Sequence, residues 1–429
     1  MTVLHTLNTF LPTLASTQLL IAYSGGLDSH VLLHALKHIQ QRHMPLLKLR
    51  AIYLNHGLNP QADFWQAHAE QICLALQIPF LTGRLDFSYK GESIEASARN
   101  ARYAYLATQL LPNEILCTAH HQDDQLETVL LQLLRGAGPK GLAAMPPIQP
   151  FAQGFHARPL LTVDRDMILN YATSAQLQWI DDDSNAEVKF DRNFLRHDIV
   201  PVLKKRWPQA ARTLSRSAAH CASSQELLEE YLHAELTTLA GHFPETLSRR
   251  QLAQCSEIKQ SYLLRAWLVQ KKIPLPSTVQ LTQILTLLHA QNDAETRITW
   301  QQYQARFYRD DLFIAHQDFF KPQPSQVFSW DGKTPLALPS GTLMLEASAS
   351  GPISNHKLSG TLTVRFRENN QKLKKIFQEN GIPAWQRWQL PLIYADGKLV
   401  AIADCWVDPA FRVLPGESGS RICLISNIK

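Results

Sequence analysis

Six consecutive residues, Ser24-Gly25-Gly26-Leu27-Asp28-Ser29, have the makings of a phosphate-binding turn. They follow the apolar run Leu19–Tyr23 and open a stretch with helical apolar spacing. Glycines let the backbone come close to a ligand, and the N–H groups of a first helical turn point at an anion. Ser24 and Ser29 add hydroxyl donors. The turn lacks both the lysine of a Walker-type loop and the GxGxxG of a dinucleotide fold, which disfavours those two readings. Asp28 is the informative member. A carboxylate beside phosphates repels them unless a divalent cation lies between, so Asp28 is assigned as a Mg2+ ligand. The alternative is a plain Gly-Gly turn with a capping aspartate.

A second cluster, Thr118 to Thr128, sits where another strand ends and another helix begins. Asp124 and Glu127 are three residues apart and share a helix face. With His121 they bring acid, base and metal-ligand types to the same sheet edge as Asp28. An acid-rich helix start favoured by the macrodipole accounts for Asp123 and Asp124, but not for His120, His121 or Glu127. Glu95 and Arg99, with Arg102-Tyr103, fall on one helix, where a surface i,i+4 pair is the plain alternative. Finally, Asp182-Asp183-Ser184-Asn185 leads into Arg192 and Arg196, spaced to lie on one helix face. Arginine donors form a fork suited to phosphate or carboxylate.

These residues need a scaffold, and the first half of the chain alternates strand and helix patterns. Strands are expected at Leu19–Tyr23, Leu49–Leu54, Pro79–Thr82 and Ile115–Ala119, and helices at Ser29–Gln40, Gln61–Leu76, Ile94–Leu110 and Asp123–Leu134. Such alternation predicts a parallel sheet covered by helices, with ligands beyond the carboxyl ends of its strands. The loops after Tyr23, Leu54 and Ala119 should then surround one site. Beyond Arg212 two long helices are expected, Thr213–Ala240 and Ser256–Gln291, then a hairpin at Gln302–Ala315. Phe319–Pro335 reads as a linker. A small α+β unit follows, with a basic helix Lys372–Glu379 and a hairpin turning at Asp396-Gly397.

The chain has 429 residues, 45% apolar and 18% charged, with a net charge of +5. That length suits two or three domains. No apolar run is long enough to span a membrane, and Met1–Leu20 has neither a basic n-region nor a small-residue cleavage site, so no membrane partner and a cytoplasmic location are expected. Six scattered cysteines form no CxxC pair, so neither a zinc knuckle nor a disulfide framework is indicated. Basic residues cluster at Lys204–Arg206, Arg249-Arg250, Lys271-Lys272 and Arg365–Lys375. Several such clusters far from the phosphate turn point to a nucleic-acid partner.

Taken together, these blocks resemble the PP-loop ATP pyrophosphatase superfamily, and within it the tRNA(Ile)-lysidine synthetase family. The Ser24–Ser29 turn carries only the superfamily. The narrower resemblance rests on Asn55-His56-Gly57-Leu58, Glu95–Arg99, His120–Thr128, Arg135–Leu142, Arg158–Leu161, the Asp182–Arg196 block and Lys372–Glu379. Asn55 departs from the pattern, where a histidine often stands.

The resemblance implies an α/β, Rossmann-like parallel sheet of the PP-loop type, then a mainly helical domain and a small α+β C-terminal domain. The implied boundaries are 1–211 for ATP binding and catalysis, 212–318 for tRNA, 319–350 as linker and 351–429 for tRNA again. It implies that the wobble cytidine of a CAU-anticodon isoleucine tRNA attacks the α-phosphate of ATP through its C2 oxygen, releasing pyrophosphate. Free lysine then attacks C2 and displaces AMP. On this reading Ser24, Gly25, Gly26, Leu27, Asp28 and Ser29 hold ATP with Mg2+. Asp124 and Glu127 take the lysine amines, and His121 is the candidate base. Asp28, Asp124 and Arg196 stand with His121 in the catalytic set. Arg99, Arg192, Lys372, Lys374 and Lys375 contact phosphate or tRNA. A homodimer is compatible with the sequence. The rival readings are a 2-thiolation enzyme of the same superfamily, for which paired cysteines are missing, and a non-catalytic nucleotide-binding regulatory module.

Overall fold

Leu19, Leu20 and Ile21 are completely buried, and a strand covered on both faces belongs inside a sheet. The computed structural model describes residues 2–55, 61–85, 94–180, 191–289, 296–321, 326–348, 351–358, 361–366, 371–414 and 417–426. It places these residues in a central strand. The chain divides into two compact units, Met1–Glu229 and Glu230–Lys429.

The first unit runs α1 (Val3–Phe10), β1 (Gln18–Ala22), α2 (Leu27–Arg42), β2 (Lys48–Asn55), α3 (Ala62–Ala75), β3 (Phe80–Arg84), α4 (Ile94–Gln109), β4 (Ile115–Cys117) and α5 (Gln122–Leu134). Then come α6 (Pro139–Leu142), β5 (Ile148–Phe151), β6 (Gly154–Ala157), α7 (Arg165–Ser174), α8 (Asp191–Phe194), α9 (Val200–Arg206) and α10 (Ala210–Thr238), which continues past the end of the unit. The sheet order is β3-β2-β1-β4-β6-β5. All neighbours are parallel except the β5–β6 edge hairpin. Strand order reverses between β1 and β4, and ligands bind at such a switch point, outside the carboxyl ends of the strands.

Strand alternation sets the layers. Leu19 and Ile21 join the buried apolar residues of α1, α2, α3 and α7. Leu20, facing the other way, packs with Ile52, Leu116, Leu106 of α4 and Leu110 just beyond that helix. Each such fully buried leucine contributes about 1.5–3 kcal/mol. The hairpin β5–β6 and helices α1 and α7 are additions to the elements expected from the sequence.

In the second unit one four-stranded antiparallel sheet combines Leu247–Ser248, Asp311–His316, Tyr303–Tyr308 and Arg297–Trp300. The single helix expected over Ser256–Gln291 is two, Glu257–Gln270 and Thr278–Leu287. Lys272 turns to φ +57 between them, and Pro274 and Pro276 cannot continue a helix. The 319–350 stretch expected as a linker also needs correction. Val327–Trp330, Leu336–Leu338 and Gly341–Ser348 are strands of the following sheets. Trp330, Leu338 and Leu343 supply buried apolar contacts that a solvated linker lacks. Asp396-Gly397, both at positive φ, joins Leu392–Ala395 to Lys398–Ile402 as the Asp-Gly pair predicts. Among the described residues, no helix is long and apolar enough to cross a membrane.

Candidate active site

The turn after β1 is held from within and left open at its tip. Gly25 sits at φ +80, the left-handed region that glycine favours. A Cβ there would also lie 3.1 Å from Ile180 Cδ1. Ile180 N–H donates to the Gly25 carbonyl at 3.0 Å. Ser29 Oγ accepts from Ser24 N–H at 3.2 Å, lies 3.0 Å from Ser24 Oγ and donates to the Gly26 carbonyl at 3.0 Å. Gly26 is the N-cap of α2 and provides no side-chain cap. The first-turn N–H groups therefore lack the usual side-chain acceptor, as an anion site requires. Asp28 completes the turn. Its side chain is 39% exposed overall, yet Oδ1 itself is covered and has no hydrogen-bond partner. A carboxylate oxygen without a donor suits a divalent cation. No group of three or more potential ligands occurs among the described residues. Mg2+ often uses only one or two carboxylates and takes its remaining oxygens from phosphates and water.

The turn after β4 is closed by its own side chains. His121 is the N-cap of α5, where its Nδ1 accepts from Asp123 N–H at 3.2 Å and Asp124 Oδ2 accepts from His121 N–H at 2.9 Å. That reciprocal pair is a capping box. His121 Nε2 lies 3.5 Å from Asp124 Oδ2 and 3.6 Å from Asp28 Oδ2, so it bridges the two turns. Burial opposes a charge on His121, but Asp124 and Asp28 outweigh it and hold the pKa above the ordinary value.

Arg192 and Arg196 cover the acids. Arg192 donates to Glu127 Oε2 at 2.7 Å and to Asp124 Oδ1 at 2.9 Å. Arg196 donates to Glu127 Oε1 and Oε2 at 2.7 and 3.0 Å and to Asp124 Oδ1 at 3.0 Å. The Glu127 side chain is only 2% exposed. Burial alone would raise the Asp124 pKa, yet His121 and Arg192 hold it well below the usual carboxylate range. Lys204 pairs with Asp123 at 2.6 Å. The two arginines leave α8 and a π-helical stretch, Leu195–Ile199, that ends where Pro201 removes a backbone donor.

The structure thus brings together Ser24–Ser29, His121, Asp124, Glu127, Arg192 and Arg196. Arg99 is exposed on α4 with its guanidinium 5.5 Å from the Tyr103 ring centre. Lys374 and Lys375 are exposed on the helix Gln371–Glu379 of the second unit, with Lys375 3.8 Å from Glu379. The side chains of Glu95 and Lys372, all of His56-Gly57-Leu58 and the Asp182–Asn185 block lie outside the described residues. Asn55 is buried and donates to Asp63 at 2.9 Å, a structural role. One expectation needs revision on physical grounds. As a base, His121 would have to take its proton at Nδ1, and the Asp123 N–H already points there. Sequence reasoning missed that both acids are engaged by arginines, and missed His156 and Arg158 beneath the site. Arg158 stood out only within a sequence block, and His156 carried no local signal.

Comparison with known proteins follows the same division of the chain. Residues 2–203 match the PP-loop domain, 247–313 the TilS substrate binding domain and 353–424 the TilS substrate C-terminal domain. The tRNA(Ile)-lysidine synthase of Coxiella burnetii is 40% identical over 96% of this chain and 94% of that protein. This chain belongs to the tRNA(Ile)-lysidine synthase family. The family members of Proteus mirabilis and Yersinia pestis are each 39% identical, covering 91% and 93% of this chain and 91% and 92% of their own lengths.

Proposed function

We propose that this chain ligates free lysine to C2 of the wobble cytidine in the CAU anticodon of isoleucine tRNA. The cytidine C2 oxygen attacks the α-phosphorus of ATP and pyrophosphate leaves. The ε-amine of lysine then attacks C2, AMP departs with that oxygen, and the amine loses its extra proton. The observation that carries this reading is the pairing of two turns at the sheet's switch point. One is an uncapped glycine turn with an unpartnered carboxylate oxygen, and the other is an acidic turn 3.6 Å away across His121. The first-turn N–H groups and serines hold the phosphates, stabilising the leaving pyrophosphate. Asp28 holds Mg2+, which when bound offsets phosphate charge.

Asp124 and Glu127 take the lysine ammonium groups, and Arg192 and Arg196 occupy the same oxygens while lysine is absent. Entry of lysine then frees guanidinium groups for phosphate or the tRNA backbone. His121 positions Asp28 and Asp124 rather than acting as base. Lys372, Lys374 and Lys375 contribute salt-dependent tRNA affinity.

Incubation with ATP, Mg2+, labelled lysine and CAU-anticodon isoleucine tRNA should transfer label to that tRNA. Label shared equally among all tRNAs, or dependent on a sulfur donor, would overturn the assignment. Lys374→Glu with Lys375→Glu should weaken tRNA binding and lower the slope of log affinity against log salt by about 1 per lost phosphate contact, with ATP affinity unchanged. The proposed homodimer is checked by sedimentation of the chain alone and with tRNA.

A further inference from the structure

Beneath the acidic turn runs a chain of buried polar groups that the steps above do not use. Arg158 Nη2 lies 3.3 Å from His156 Nδ1, His156 Nε2 lies 2.8 Å from Thr118 Oγ1, and Thr118 Oγ1 lies 2.7 Å from His120 Nδ1. His156 is completely buried, Arg158 is 4% exposed and Thr118 8%. Their order along the chain follows from the strands. Thr118 immediately follows β4, His156 is within the neighbouring β6, and Arg158 immediately follows that strand.

Hydrogen-bond chemistry gives this chain a single direction. A guanidinium can only donate, so His156 Nδ1 must accept and its proton must reside on Nε2. His156 Nε2–H then donates to Thr118 Oγ1. The buried threonine hydroxyl has no other acceptor among the described residues, so it donates to His120 Nδ1, which accepts. His120 is therefore fixed with its proton on Nε2. Among the described residues no partner is assigned to that Nε2, and the His120 side chain remains partly open. Burial pushes its pKa down to about 3; nearby Asp124 opposes the shift, while Arg192, Arg158 and Arg99 reinforce it. The imidazole stays neutral and presents a donor from a neighbourhood rich in guanidinium groups, where an oxyanion is the favoured ligand.

We propose that His120 is a catalytic donor, its Nε2–H held by the Arg158–His156–Thr118 chain and bonding an α-phosphoryl oxygen of ATP as the adenylate forms. Thr118, His156 and Arg158 are positioning residues, acting only through the tautomer of His120. The proposal rests on the adenylation reading above. It also adds a division of labour between adjacent histidines: His121 braces carboxylates, and His120 faces the reacting phosphate.

The test uses the full chain labelled with 15N-histidine, with His120 ring signals identified by their loss in His120→Gln. The wild type should show one Nε2–H tautomer, unchanged from about pH 5 to 8. Thr118→Val keeps the shape but removes the hydroxyl. It should yield mixed tautomers and slow adenylation, read as pyrophosphate release with ATP, Mg2+ and tRNA but no lysine, by about tenfold or more with KM for ATP nearly constant. Thr118→Ser should restore both the spectrum and the rate. A wild-type His120 protonated on Nδ1, or one titrating near its ordinary pKa, would overturn the chain of donors. Freed tautomers in Thr118→Val with an unchanged adenylation rate would overturn the catalytic role. A wild-type chain that forms no adenylate on this tRNA would defeat the underlying reading, whatever the ring spectrum shows.

Discussion

Two strand-to-helix turns lie side by side at one sheet edge and are finished in opposite ways. After β1, the helix begins on Gly26 without a side-chain cap and keeps an unpartnered Asp28 oxygen. After β4, the helix begins on a capping box whose acids are covered by two arginines. Both starts have the same dipole and a similar place in the fold. Their difference therefore comes from side chains, and it separates a turn waiting for an anion from one that satisfies itself. An open turn costs stability until its ligand arrives. A closed turn must be opened before anything else can bind.

Breaking the open turn should have the largest effect. Asp28→Ala is expected to cut AMP formation by about a thousandfold while tRNA binding stays intact, read by single-turnover assay and filter binding. Unchanged AMP release would remove Asp28 from the metal role. Breaking the closed turn should act first on stability. Glu127→Gln removes a buried carboxylate and leaves two half-buried guanidinium groups short of a countercharge, and should cost about 3 kcal/mol in denaturant unfolding. It should also raise KM for lysine more than KM for ATP.

The paired histidines sharpen the contrast through pH. His120 and His156 both have pKa values lowered to about 3, chiefly by burial. Between about 3 and 6.5 the unfolded chain binds more protons than the folded one, so stability falls as the solution is acidified through that window. His156→Gln, which takes no proton, should flatten this slope by up to about 1.4 kcal/mol per pH unit. The smallest effect belongs to the cap itself. His121→Ala should lose about 1 kcal/mol, and His121→Asn should recover most of it because asparagine caps well.

Much of the open turn was legible in the sequence because its determinants are local. Gly25, Gly26 and Ser29 act on neighbours within a few residues, and the flanking strand and helix announce themselves by periodicity. The parallel sheet was legible for the same reason. The closed turn was legible only in residue type. Asp124 and Glu127 looked free, since their arginine partners lie 65 to 72 positions away, and no spacing rule links them. The His156–Thr118–His120 chain depends on two strands lying side by side and on which atom holds each proton. Neither is written in a local pattern. The strands at Val327–Trp330 and Gly341–Ser348 were hidden by the Pro, Gln and Ser content beside them, although their buried apolar residues outweigh it.

The bond from Ile180 N–H to the Gly25 carbonyl has a consequence for measurement. It ties the phosphate turn to a backbone amide far along the chain that is no part of the Ser24–Ser29 turn. Exchange of that amide with heavy water reports how often the turn lets go. ATP should slow the exchange at Ile180, which would serve as a clock on the turn's opening that needs no chemistry to run.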